Sequence, residues 1–69
     1  ISALETQRLL QQHCSNLPTG FADGLWGLTT REAIRDFQTA YGLSVDGVVG
    51  LRTEAALRGS VNGRCVYTP

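Results

Sequence analysis

The sequence predicts an all-α fold, a compact bundle of three helices with two repeated turn-and-helix units. Three observations support this prediction. Apolar residues recur at helical spacing in three stretches, glycine-rich segments join these stretches, and one phrase occurs twice, as DGLWG at 23–27 and DGVVG at 46–50. Helices are expected near residues 3–13, 28–41 and 51–58, with no substantial sheet.

The first predicted helix begins with a capping box. Ser2 and Glu5 have the S-x-x-E spacing in which each residue satisfies a backbone amide of the other, so the helix should start at Ala3. It should end near His13, the chain's single histidine. A positive charge there suits the helix dipole, which favours a capping or surface role for His13 over a catalytic one.

The second predicted helix has the strongest pattern. Within LTTREAIRDFQTAYG the apolar residues follow one helical face: Ala33, Ile34, Phe37, Ala40 and Tyr41. Gly42 is expected to adopt the left-handed conformation that ends a helix. The third helix, in LRTEAALRG, is shorter and should stop at Gly59.

The repeated phrase extends to DGLWGLTTREAI and DGVVGLRTEAAL, which match with a shift of 23 residues. Its residues are typical of turns and helix caps. The Asp side chain can accept hydrogen bonds from loop amides, and the first Gly permits a positive φ. The second Gly stands near the N-cap, and the Thr hydroxyl can bond an unpaired amide of the first helical turn. These predicted structural residues are Asp23, Gly24, Gly27, Thr30, Asp46, Gly47, Gly50 and Thr53. A capping box of Thr29 and Glu32 would instead start the second helix two residues later.

Trp26 is the chain's only tryptophan and lies inside the first copy of the phrase. Val49 takes its place in the second copy, so only bulk and apolarity are common to the two positions. This exchange favours a core position for Trp26, and the alternative is an indole at the lip of a groove. The predicted core residues are Trp26, Ile34, Phe37, Val49 and Leu57.

Composition limits the protein to one small domain. The chain has 69 residues, of which 42% are hydrophobic and 17% charged, as in globular proteins. Six basic and six acidic residues cancel, which argues against a nucleic-acid partner, and no apolar run approaches the roughly 20 residues of a membrane span. We expect one domain over 1–69, with its core at about 3–58. Because the chain begins at Ile1 without a signal peptide, we expect a piece of a longer protein.

The two cysteines, Cys14 and Cys65, indicate one disulfide and an oxidising compartment, because an even count is typical of very small stabilised domains. Two reduced cysteines are the alternative. The chain has no zinc-ligand spacing, so no metal is predicted. The bridge would pin the tail, 59–69, to the end of the first helix.

With its helices and repeated phrases in this order, the sequence resembles the peptidoglycan-binding domain of the small three-helix type. The resemblance covers about Leu4 to Leu57. The matching residues are Asp23, Gly24, Trp26, Gly27, Thr30, Ala33, Ile34, Phe37, Gln38, Gly42, Leu43, Asp46, Gly47, Val49, Gly50 and Thr53. The first helix departs from the family pattern, and Leu28 and Leu51 stand where the family often has proline.

The resemblance implies a non-catalytic module that binds peptidoglycan, either its glycan strand or its stem peptide. Such a module is usually a monomer fused to a cell-wall hydrolase and is secreted, periplasmic or associated with the cell wall. The same fold also heads the pro-region of matrix metalloproteinases, where a cysteine thiolate binds the catalytic zinc. The residues GRCV at 63–66 partly resemble that segment. The alternative function is therefore a pro-domain or interaction module that uses Cys65.

No catalytic residue and no cofactor is predicted, because Asp23 and Asp46 have the same turn context and not that of a glycosidase pair. A polymer groove needs an apolar floor and a few polar groups. The candidate ligand-binding residues are Tyr41, Arg52, Leu25, Val48 and Gln38. Arg52 could reach a carboxylate or be a solvated surface charge, and Gln38 could touch ligand or satisfy the turn backbone from within.

Overall fold

A computed structural model describes all 69 residues of the chain and confirms the three-helix, all-α fold. The elements in chain order are α1 (Ala3–His13), β1 (Cys14–Ser15), α2 (Leu28–Ala40), α3 (Leu51–Leu57) and β2 (Cys65–Val66). Both α2 and α3 end one residue earlier than the sequence predicts. No helix has the combination of length and apolar character that crossing a bilayer requires.

Local side-chain and backbone signals set the ends of the first two helices. Ser2 caps α1, since its hydroxyl oxygen accepts a hydrogen bond of 3.1 Å from the Glu5 amide. Gly42, at φ 67°, ends α2 in a Schellman motif. The amide of Leu43 there donates to the carbonyl of Gln38 at 2.9 Å, which satisfies one of the last carbonyls of the helix.

The core lies where the helices and the tail meet. It consists of nine residues: Leu10, Cys14, Phe21, Ala33, Ile34, Phe37, Leu57, Cys65 and Tyr67. Of the predicted core residues, Ile34, Phe37 and Leu57 are buried, and Val49 is half-buried and packs against the cluster.

Trp26 is a correction to the predicted core, because 47% of its surface is exposed. The turn presents this position at the margin of the core, where the equivalent Val49 is also only half-buried. The aromatic bulk inside the core comes from Phe37, Phe21 and Tyr67.

The tail is an integral part of the fold. A disulfide joins Cys14 to Cys65, as expected, and β2 pairs with β1 in parallel. The ring of Tyr67 is buried, and its hydroxyl donates a hydrogen bond of 3.1 Å to Glu32 on α2. Just beyond it, the Thr68 amide donates to Asp36 at 3.0 Å. The tail therefore contributes packing as well as a covalent link.

Removal of the disulfide should lower the free energy of unfolding by about 4 kcal/mol. The bridge joins residues that are 51 positions apart, and a loop of that length restricts the unfolded chain strongly. Urea unfolding of the protein with Cys14→Ala and Cys65→Ala measures this loss. A reductant should lower the midpoint of the wild type and leave that of the double variant unchanged. A wild-type midpoint that does not respond to reductant would contradict the prediction.

Candidate functional site

The two turns have the same internal geometry. Oδ1 of Asp23 accepts a hydrogen bond of 2.9 Å from the amide of Leu25, and Oδ1 of Asp46 accepts one of 2.9 Å from the amide of Val48. Gly24 and Gly47 have φ values of 79° and 72°, which side-chain-bearing residues rarely adopt. Both aspartates are therefore Asx-turn residues, as the repeated phrase predicts.

A buried glutamine holds each turn from inside, and the first of these is Gln7 on α1. Its Nε2 donates to Asp23 Oδ1 at 2.9 Å, to the carbonyl of Leu25 at 3.0 Å and to Thr30 Oγ1 at 2.9 Å. Its Oε1 accepts from the amide of Gly24 at 2.8 Å. One amide group thus satisfies the turn, its aspartate and the first turn of α2.

Gln38 on α2 does the same for the second turn. Its Nε2 donates to Asp46 Oδ1 at 2.8 Å, to the carbonyl of Val48 at 3.0 Å and to Thr53 Oγ1 at 3.1 Å. Its Oε1 accepts from the amides of Asp46 and Gly47 at 3.1 and 3.0 Å. The side chain has 0% exposure. Gln38 is therefore unavailable to a ligand, and its position corresponds to the alternative in which it satisfies the turn.

The repeated threonines also differ from the expectation. Thr30 and Thr53 bind the glutamine amides through Oγ1 and do not cap the amides of the helices. The N-cap residues, Gly27 and Gly50, make no side-chain capping bond. These threonines therefore tie the start of each helix to its turn.

Tyr41 connects α1, α2 and the tail, and it lines none of the surface clefts. Its hydroxyl hydrogen-bonds Nδ1 of His13 and accepts from the Asn62 amide at 2.9 Å, while its ring stacks on Phe37 with centroids 4.3 Å apart. His13 is buried, not at the surface, and its Nε2 lies 2.7 Å from the carbonyl of Leu57. Because a carbonyl only accepts, Nε2 carries a hydrogen, and in the neutral imidazole Nδ1 then accepts from the Tyr41 hydroxyl.

An open cleft of about 480 Å³ lies on the outer side of the second turn, and we call it the Val48 cleft. Two of the predicted ligand-binding residues, Val48 and Arg52, line it together. The other lining residues are Gly42, Leu43, Ser44, Asp46, Gly50, Leu51 and Thr53. The side chain of Arg52 is exposed and has no carboxylate partner, since the ion pairs of the chain all involve Arg58.

The first turn has a related, smaller cleft of about 260 Å³ that contains Leu25. Its residues Asp23, Leu25, Gly27, Leu28, Thr29 and Thr30 are the repeat equivalents of six residues in the Val48 cleft. Thr29 stands at the position of Arg52, so this cleft lacks the positive charge.

A third depression, the Trp26 groove, has a volume of about 410 Å³ and lies between the two turns. It is lined by Ile1, Trp26, Arg31, Gly47, Val48, Val49 and Glu54. Val48 lines both this groove and the Val48 cleft, so the two depressions meet at its side chain. Arg31 has no sequence signal of a site residue, and it belongs to this groove because Trp26 is exposed beside it.

Three carboxyl groups have lowered pKa values. The Leu25 amide and then the Gln7 side chain lower the pKa of Asp23. The Val48 amide and then Gln38 lower that of Asp46. A hydrogen bond from Arg58 lowers the pKa of Glu5. Since the native state holds these groups ionised to lower pH than the unfolded chain does, they stabilise the fold above the ordinary carboxyl pKa.

Replacement of either buried glutamine should destabilise the protein by about 3 kcal/mol, because each variant leaves turn amides without partners. Gln7→Leu removes the acceptor of the Gly24 amide, and Gln38→Leu removes the acceptor of the Asp46 and Gly47 amides. Thermal and urea unfolding measure the change. Gln11→Leu is the matched control on α1, since Gln11 is exposed. Equal stability of the Gln7→Leu and Gln11→Leu proteins would show that the amide does not hold the turn.

Acid should unfold the protein partly through the two turn aspartates. Stability should be lost as the pH falls below the ordinary aspartate pKa of about 4 and through the lowered pKa values of the native state. Combined Asp23→Asn and Asp46→Asn substitution keeps the Oδ1 acceptors and removes the charges, so the pH dependence should become shallower, with Glu5 supplying part of what remains. Denaturant unfolding at a series of pH values tests this expectation, which an identical pH profile in the double variant would refute.

Comparison with known proteins identifies the family. The family model for the peptidoglycan binding domain matches residues 3–57. Curated relatives include spore cortex-lytic enzymes of Bacillus cereus, which are 46% identical over 39 residues, covering 56% of this chain and 15% of theirs. The chain thus spans a small part of these relatives. No solved structure matches it significantly. Together with the three helices and the two matched turns, the family match shows that the chain belongs to the peptidoglycan binding domain family.

Proposed function

We propose that this chain is a non-catalytic module that binds peptidoglycan and holds an attached cell-wall hydrolase on its polymer. The family match and the partial similarity to a spore cortex-lytic enzyme support the proposal. The observation that carries it is the Val48 cleft, where an unpaired arginine lies beside an exposed apolar side chain on a rigid turn.

The chemistry of the Val48 cleft suits a muropeptide. The guanidinium of Arg52 offers a planar set of donors to a carboxylate, such as those of stem peptides. Val48 is exposed and offers an apolar contact beside it. The carboxylate of Asp46 is held by the Val48 amide and Gln38, so this anion is committed to the turn and not to the ligand. Leu25 provides a second, uncharged contact area in the smaller cleft.

Binding by this module should be weak, with a dissociation constant on the order of 10 µM to 1 mM, because shallow clefts desolvate few groups. The net charge of zero gives no long-range attraction to an anionic wall. Weak binding still retains an enzyme on a polymer that carries many identical sites, since each release is followed by re-engagement nearby.

The cysteine chemistry favours this function over the pro-domain alternative. Cys65 is bonded to Cys14 and no cysteine is free, so its thiolate is not available to a catalytic zinc. A disulfide also suits an oxidising environment. We therefore place the module outside the cytoplasm, as a secreted, periplasmic or wall-associated protein.

Arg52→Ala should weaken retention on purified peptidoglycan sacculi by about tenfold and leave the melting temperature unchanged, because the exposed guanidinium contributes to binding and not to the fold. A pull-down with sacculi, compared with chitin and cellulose, measures this. Arg64→Ala is the matched control, since Arg64 is exposed and lines none of the clefts. Absence of wild-type binding to sacculi would refute the proposed function, and equal binding of the two variants would remove Arg52 from the site.

A further inference from the structure

We infer that the Trp26 groove is a subsite for one sugar ring of an N-acetylated glycan strand, an inference that rests on the proposed function. The first reason is the position of Trp26, which is the only tryptophan of the chain and is 47% exposed. A fold with so small a core leaves its largest apolar side chain at the surface, beside the exposed side chain of Val48. Exposed aromatic surface inside a groove is typical of a binding site.

The apolar part of the groove lining suits one face of a sugar ring. Gly47 forms part of its lining and has a φ of 72°, and a Cβ atom there would stand 3.2 Å from Nε of Arg35. The groove is therefore lined by backbone without a side chain at this position. Val48 and Val49 complete an apolar lining. The apolar C–H face of a pyranose ring packs well on an indole, whose rim also carries one N–H donor.

The polar groups of the groove suit a neutral ligand. Among the side chains that line it, Arg31 is the one cation and Glu54 the one anion, so the side-chain charges of the groove cancel. Glu54 is paired with Arg58 at 3.1 Å, whereas Arg31 has no carboxylate partner in the chain. The guanidinium donors of Arg31 and the carboxylate oxygens of Glu54 can hydrogen-bond the hydroxyl and acetamido groups of a sugar. A free stem peptide, which carries several charges, is less complementary to this balance.

The Trp26 groove is continuous with the Val48 cleft, so one ligand can occupy both. Val48 lines both depressions, so a glycan ring at Trp26 lies next to the space that contains Arg52. A peptide attached to that glycan could then present its carboxylate to Arg52, while the ring stays on the indole. The two depressions would therefore bind different parts of one polymer.

The fluorescence of Trp26 tests the inference directly, because no other tryptophan contributes to the signal. The wild-type protein is titrated with neutral N-acetylglucosamine oligomers as the glycan probe, and separately with the stem peptides that an amidase releases from sacculi. The glycan should shift or quench the emission in a saturable way, and the stem peptide should not. A response to the peptide alone, or no response to glycan while sacculi are still bound, would overturn the subsite and leave the proposed function intact.

Variants provide the second readout. Trp26→Ala should weaken sacculus binding by about tenfold, as is common for an aromatic anchor, whereas Trp26→Phe should retain most of it. Val61→Ala, at an exposed apolar residue outside the clefts, should change nothing. The melting temperature of each protein is measured in parallel, and a folded Trp26→Phe protein keeps the test valid if the alanine variant unfolds. Wild-type affinity in a folded Trp26→Ala protein would refute the subsite.

Discussion

The buried glutamine amide is the interaction on which the architecture depends. A tight turn leaves backbone donors and acceptors that face inward, away from water, and each of them needs a partner. A single primary amide offers both kinds, and Gln7 and Gln38 use theirs on a carbonyl, a carboxylate, a hydroxyl and turn amides. No buried side-chain nitrogen or oxygen of the protein lacks a partner. In a domain with so few core residues, these polar contacts define where α2 and α3 start.

Because the turns are held from inside, their remaining side chains face outward on a fixed frame. Leu25, Trp26 and Val48 are exposed, yet each belongs to a turn whose backbone is fixed by hydrogen bonds. Binding at such a frame requires little ordering of the backbone. The hydrogen bonds that stabilise the fold thus also fix the backbone beneath the proposed binding surface.

The sequence predicts the helices well, because their signals are local: the Ser2 cap, the apolar face of α2 and the stop at Gly42 all act within a few residues. The role of Gln7 is not predicted, because Gln7 lies 16 residues before its partner Asp23. Gln38 lies only 8 residues before Asp46. Because the two separations differ, the glutamines do not occupy equivalent positions of the repeat. The exchange of Trp26 with Val49 predicts a core position, but this exchange preserves only apolar character and does not report burial. The burial of Tyr67 has no periodic signal and depends on the tail's return to α1.

That return has a consequence for the connectivity of the chain. Cys14 closes on Cys65, so the backbone between them, with α2, α3 and both turns, forms a covalent ring from which only α1 and the last few residues extend. A peptide bond cut once within the ring leaves all atoms in one molecule, and the fragments remain next to each other for as long as the bridge is oxidised. A single nick within the ring therefore releases no fragment of the chain.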